Sequence, residues 1–200
     1  ILFKNWYEIQ NTHGRYPRHL LNIYIMASIF HSITDRTQGV HKSNDWYRRQ
    51  VGTITSKISA SKLMAEGKLL NSPSSGRLNM FFYDPKLKDV LPYYDTFPLV
   101  LPLQYAPSGF LGCNFHYLAP GVRFRLLETL QRFANDNTFD SGTRLSVSYN
   151  AVKSIPFIKP TIKHYLWSYV RSSFLRIDMD EAPISVYLPV QQFKKASAAS

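Results

Sequence analysis

An α+β fold is predicted for this chain, built on a small, strongly bent antiparallel sheet or SH3-like barrel with helices on one side. Three observations predict it. The apolar runs Leu78–Tyr83, Phe97–Leu103 and Phe110–Leu118 are short, rich in aromatic and branched residues, and bounded by Pro, Gly or Asp, which is the pattern of strands. Stretches without interior Pro lie before and after them and read as helices. With 200 residues, 44% hydrophobic and 14% aromatic, the chain can bury a real core.

The clearest linker is Asn71-Ser72-Pro73-Ser74-Ser75-Gly76, and it divides a helical basic region, 1–76, from an α+β domain, 77–200. Before it, Pro17–Ile33 is expected to be a helix with Pro17 in its first turn. Its apolar residues surround much of the helix, which suits burial between partners or an oligomer contact. Asp35–Lys42 reads as a connector. Ser43-Asn44-Asp45 then offers capping side chains for a second helix running to Glu66, weakened but not forbidden by Gly52.

After the strands, Val122, Leu126, Leu130 and Phe133 recur at three- and four-residue spacing, so Val122–Ala134 is expected to be an amphipathic helix packed on the sheet. Its Arg125, Glu128 and Arg132 fall on the opposite side. Asn135–Gly142 reads as a loop, and a short helix is expected to end near Ser154. Pro156 and Pro160 bracket a turn into a last long helix, Pro160–Ile177. Ile184–Val190 alternates between Pro183 and Pro189 and reads as an edge strand returning to the sheet.

Charge is the more informative property for function. The net charge is +11, and eleven Lys and Arg against four Asp and Glu lie up to Asn79, compared with thirteen against nine after it. Such an excess favours a polyanionic partner such as nucleic acid, with an anionic membrane as the competitor. The apolar run Leu20–Phe30 is too short to span a bilayer and is flanked by Arg18, His19, His31 and Asp35, so no membrane partner is expected. A single cysteine, Cys113, excludes an internal disulfide and any multi-cysteine zinc site. The chain opens at Ile1 rather than Met and closes on small residues, the pattern of a fragment or processed product.

The second helix carries Arg48, Arg49, Lys57 and Lys62 against only Asp45 and Glu66, with Ser and Thr interspersed that can donate to phosphates, so these cations are candidate DNA contacts. On the wheel of the last helix Lys163, Trp167 and Arg171 fall on one arc at four-residue steps, joining two cations to an aromatic, and form a second candidate contact. Tyr93 and Tyr94 could stack on bases but are assigned to packing. No Gly-rich phosphate loop, His-Glu-x-x-His or paired-cysteine motif occurs, so no cofactor, metal site or catalytic residue is assigned. Asp84-Pro85-Lys86 formally matches an acidic-x-Lys nuclease element but lacks a second carboxylate. His116 with Asp95 or Asp84 is the remaining acid–base combination, and a structural role is expected for all of them.

The residues Met80-Phe81-Phe82-Tyr83-Asp84-Pro85-Lys86, Leu91-Pro92-Tyr93-Tyr94-Asp95-Thr96-Phe97-Pro98-Leu99, Gly109-Phe110-Leu111-Gly112 and Asn114-Phe115-His116-Tyr117-Leu118, followed by Lys159–Phe174 and Leu188-Pro189…Phe193, are specific because many Pro, Gly and aromatic positions recur together. Over about Met80–Lys194 the chain resembles the DNA end protectors, or DNA terminal proteins, of T4-like tailed phages. It departs from that pattern mildly at Cys113 and Ala119. The resemblance implies a non-enzymatic virion protein, near the portal or neck and in the host cytoplasm during assembly and after injection. Such a protein binds double-stranded DNA ends, meets portal or neck proteins, closes the filled head and shields the ends from host exonuclease. Self-association is compatible with it. The competing readings are a neck, tail or baseplate component without DNA contact and, behind it, a metal-dependent nuclease.

Overall fold

The computed structural model describes residues 28–54, 58–134, 149–153 and 155–196. Helix α1 (Ser28–Thr37) buries Ile29 and Ile33, one turn apart, and runs four residues past the expected end at Ile33; residues 17–27 of the expected helix lie outside the described residues. Gln38 and Gly39, both at positive φ, then reverse the chain.

Helix α2 (Asn44–Gly52) starts where the caps predict, with the Ser43 hydroxyl accepting from the Trp46 amide. The single helix expected through Glu66 is instead two: α2 stops at Gly52, and α3 (Ala60–Glu66) has its own cap, Ser59 accepting from the Lys62 amide. The break has a local cause. Gly52 is a poor helix residue, and Thr53 closes the last turn by donating its amide to the Arg49 and Gln50 carbonyls and its hydroxyl to Gln50.

Strands β1 (Lys68–Leu70), β2 (Leu78–Met80), β4 (Leu99–Ala106), β5 (Gly109–Asn114), β6 (Ile162–Leu166) and β7 (Phe174–Ile177) form one antiparallel sheet in the order β1-β7-β2-β4-β5-β6. The sheet is open, ending at β1 and β6, and is not a closed barrel. A second small sheet pairs β3 (Tyr94–Asp95) with β8 (Phe193–Lys194). The three apolar runs contribute β2, β4 and β5; Phe115–Tyr117, at the end of the third, turns into a 3-10 helix instead of extending the strand. Pro102 is tolerated inside β4 because β2 pairs only with Leu99 and Val100, and the register slips beyond it between Pro102 and Gln104.

Alternation along the strands separates two cores. Leu99, Leu101 and Leu103 join Cys113, Phe115, Leu175 and Ile177 in the larger one. Val100, Phe110, Tyr165 and Phe174 face the other way, into an aromatic cluster with Phe81 and Tyr83. Buried residues of α1, α2, α3, the amphipathic helix α4 (Pro120–Ala134) and the short α5 (Ala182–Ser185) all enter the larger core, so the helices cover one face. In α4, Leu126 and Leu130 are buried and Arg125 and Glu128 exposed, as the stripe predicts; the side chains of Arg132 and Phe133 lie outside the described residues.

Two expected elements are overturned. Pro160–Ile177 is no helix: a 3-10 turn (Lys159–Thr161) leads into β6, a second one (Trp167–Tyr169) ends it, and β7 follows. Tyr165, Tyr169 and Val170 satisfy helical spacing but are strand-favouring residues, and β5 offers Gly109 to Cys113 as a partner for 162–166. Likewise Ile184–Val190 is not the edge strand. It holds α5 and a buried turn in which Ile184, Val186, Leu188 and Val190 all enter the core, and the returning strand is β8. The stretch 71–76 is held by its neighbours: the buried Asn79 side chain accepts from the Ser74 amide and donates to the Ser74 and Arg77 carbonyls, and the Tyr105 hydroxyl donates to Pro73. The six-stranded sheet takes β1 from before that stretch and the other five strands from after it.

Candidate nucleic-acid interface

The first group of cations is set out by helix geometry. Tyr47 and Val51, four residues apart, bury one side of α2 against α5, which leaves Arg48 and Arg49 exposed on the other. Arg48 lies 3.7 Å from Asp45, an exposed pair of little energetic weight, and Arg49 Nε donates to the Asp45 carbonyl. Lys62 on α3 is 3.8 Å from the largely buried Glu66 carboxylate, whose pKa burial pushes up against the opposing charge of Lys62. Lys62 is therefore partly committed within the protein. Of the nearby hydroxyls, Thr53 and Ser59 are used on the backbone of their own helices, and Lys57 lies outside the described residues.

Lys163, Trp167 and Arg171 do not share a helical arc. Four residues span about 6 Å on a helix face but about 13 Å along a strand. Lys163 sits on β6 with its ammonium 4.6 Å from the Tyr117 ring centre, and burial draws its pKa below the usual Lys value. Trp167, half-buried at the far end of β6, lies 5.1 Å from the Phe110 ring and donates Nε1–H to the Ala106 carbonyl. Arg171 is exposed but tied down, donating to the Ser168 carbonyl and lying 3.8 Å from Asp84.

The acid–base candidates are occupied. Both Asp84 oxygens accept from Lys88 at 3.1 Å, and Lys86 points to solvent from the same connection. His116 Nδ1 donates to Asp95 Oδ2 at 2.7 Å, with both side chains essentially inaccessible. Burial opposes the Asp95 charge, but His116 together with the Phe97 and Gln192 amides outweighs it and holds the carboxyl below the ordinary Asp range. Cys113 is buried 3.2 Å from the Thr161 hydroxyl, and burial pushes its thiol up to about 12, far from a reactive thiolate.

Next to this buried pair lies an aromatic surface assembled from distant parts of the chain. Tyr93, Tyr117 and Phe193 form a three-ring cluster with centres 5.1 to 6.0 Å apart. Tyr93 is 52% and Phe193 42% exposed, so Tyr93 is not packed away as expected. The β3–β8 ladder sets Phe193 opposite Asp95, and the exposed Lys194 and Lys195 follow it. The signal for this site in the sequence is faint: a lone Phe before two Lys in a polar tail, far from Tyr93 and Tyr117 along the chain.

A family model described as Phage T4 terminal DNA protecting protein matches residues 9–199. The chain belongs to this family. The terminal DNA protecting match extends past Met80–Lys194, where the resemblance lies, into the basic α1–α3 region. In this member of the terminal DNA protecting family, the Met80–Leu118 block supplies the last residue of β2, all of β3, β4 and β5, and the buried His116–Asp95 pair. No curated protein and no solved structure matches the chain.

Proposed function

We propose that this protein is a non-enzymatic virion component that binds the ends of the packaged linear double-stranded genome. It sits near the portal or neck, in contact with the proteins there, helps close the filled head, and shields the injected ends from host exonuclease. The observation that carries the reading is the match of residues 9–199 to a terminal DNA protecting family. The charge supports it independently. A protein that must hold any genome end needs affinity without sequence preference, and cations on phosphates supply that through counterion release. The net charge of +11 and the outward Arg48 and Arg49 suit this chemistry.

Binding of end-labelled duplex is to be measured as a function of salt for the wild type and for Arg48→Ala/Arg49→Ala. Affinity is expected to fall steeply with salt, and the slope of log K against log salt to flatten by about 0.9 for each phosphate contact removed. A slope that the substitutions leave unchanged would remove α2 from the interface. Failure of the wild type to bind duplex at low salt would leave a neck, tail or baseplate component that touches no DNA.

A further inference from the structure

We propose that the Tyr93–Tyr117–Phe193 cluster, with Lys163, Lys194 and Lys195, is the seat for the terminal base of a DNA end. This inference rests on the end-binding reading above and assigns it a site. Among the described residues, the large apolar side chains exposed at the surface include Leu87, Val90 and Tyr93 from one connection together with Phe193. Leu87, Leu91, Tyr94, Tyr117 and Lys163 line a single cavity of about 320 Å³ on this side of the molecule. Of the nearby carboxylates, Asp95 is turned inward onto His116 and Asp84 is held by Lys88 and Arg171, which leaves Asp89 exposed in the 87–91 connection. The surface thus joins exposed aromatic rings to Lys163, Lys194 and Lys195, three cations against the one exposed carboxylate of Asp89.

That combination selects an end. Within a duplex both faces of every base are covered by its neighbours, so an aromatic side chain has no base face to stack on unless it wedges the steps apart. At a terminus one face is open, and a frayed nucleotide opens two. The exposed rings of Tyr93 and Phe193 meet at 65°, so one can lie flat on that face while the other abuts the base edge, and such a stack is sequence-tolerant because every base has a π-face. Lys194 and Lys195, next to Phe193, and Lys163, above Tyr117, are placed to meet the last phosphates. The C-terminal segment is strapped to the 91–96 segment: the Thr96 amide donates to Gln192, the Gln192 amide to Asp95 and the Ala196 amide to Leu91. The strap keeps Phe193 against Tyr93 before any ligand arrives.

The test compares a linear blunt duplex with a relaxed covalently closed circle of the same sequence, using wild type, Tyr93→Ala/Phe193→Ala, and Lys194→Glu/Lys195→Glu. The wild type is expected to prefer the linear form. The aromatic variant is expected to lose at least about fivefold of that preference while keeping its binding to the circle and its salt slope. A duplex carrying 2-aminopurine at its terminal position is expected to be quenched by the wild type and not by Tyr93→Ala. Lys194→Glu/Lys195→Glu changes only exposed side chains, so it probes the site without disturbing the strap, and it too is expected to weaken the linear form more than the circle. If the wild type prefers ends and all variants keep that preference, this inference is overturned while the end-binding reading stands. If the wild type binds neither DNA, both fall.

Discussion

Arg123 is the residue whose role is hardest to see from composition and easiest to see from geometry. It is 4% exposed, and its guanidinium donates to three backbone carbonyls: Leu118 at 2.7 Å, Val186 at 3.1 Å and His116 at 3.1 Å. It therefore ties α4 to the buried turn after α5 and to the 3-10 turn that carries His116. Burial lowers its pKa, with Asp95 opposing. Arg123→Met is expected to strand these carbonyls and cost at least about 2 kcal/mol in urea unfolding. Asp95 gives a pH signature. Its folded pKa is depressed, so the pair contributes stability above the ordinary Asp value of about 4, and that contribution is lost as pH falls through the lower folded value. Asp95→Asn is expected to be markedly less stable than wild type at neutral pH, with the gap narrowing as pH drops below about 4. A gap independent of pH would assign the loss to hydrogen bonding alone.

At the scale of elements, the pairing of β5 with β6 depends on a missing side chain. A Cβ on Gly109 would lie 2.0 Å from the Tyr165 carbonyl oxygen, which is backbone and cannot step aside. Gly121, in the first turn of α4, has no atom within 4 Å of the same position. Gly109→Ala is thus expected to lose about 3 kcal/mol or more and to expose the β6 amides to hydrogen exchange, whereas Gly121→Ala is expected to fall within about 0.5 kcal/mol of wild type. This contrast also explains the misread segment. The strand character of 162–166 is recorded in its partner, at Gly109, more clearly than in its own apolar spacing, which suits a helix equally well. Elements with a pattern complete in themselves, the helical stripe of α4 and the continuous apolar run of β4, were legible without a partner.

Over the whole molecule, the fold divides cations by what lies behind them. Arg48 and Arg49 stand on a helix whose inner side is anchored by Tyr47 and Val51, so their charge faces solvent at a fixed place. Arg123 and Lys62 are as basic in sequence, yet one is buried and the other sits over Glu66. Net charge alone predicts a strong salt dependence of DNA binding, and the two exposed arginines are expected to carry more of its slope than Lys62→Ala removes. The same titrations check this ordering.

The sequence by itself determined the class of fold, the central strands, the stripe of α4, the basic balance and, through its spaced Pro, Gly and aromatic residues, the family. These are properties of local pattern, which a chain carries wherever it folds. Only the tertiary structure decided that Lys163, Trp167 and Arg171 part company along β6 and the 3-10 turn after it, that Asp95 and His116 meet out of reach of solvent, and that Phe193 comes to rest on Tyr93. Each of these depends on residues brought together across 21 to 100 positions of sequence, and spacing along the chain holds no record of which strand pairs with which.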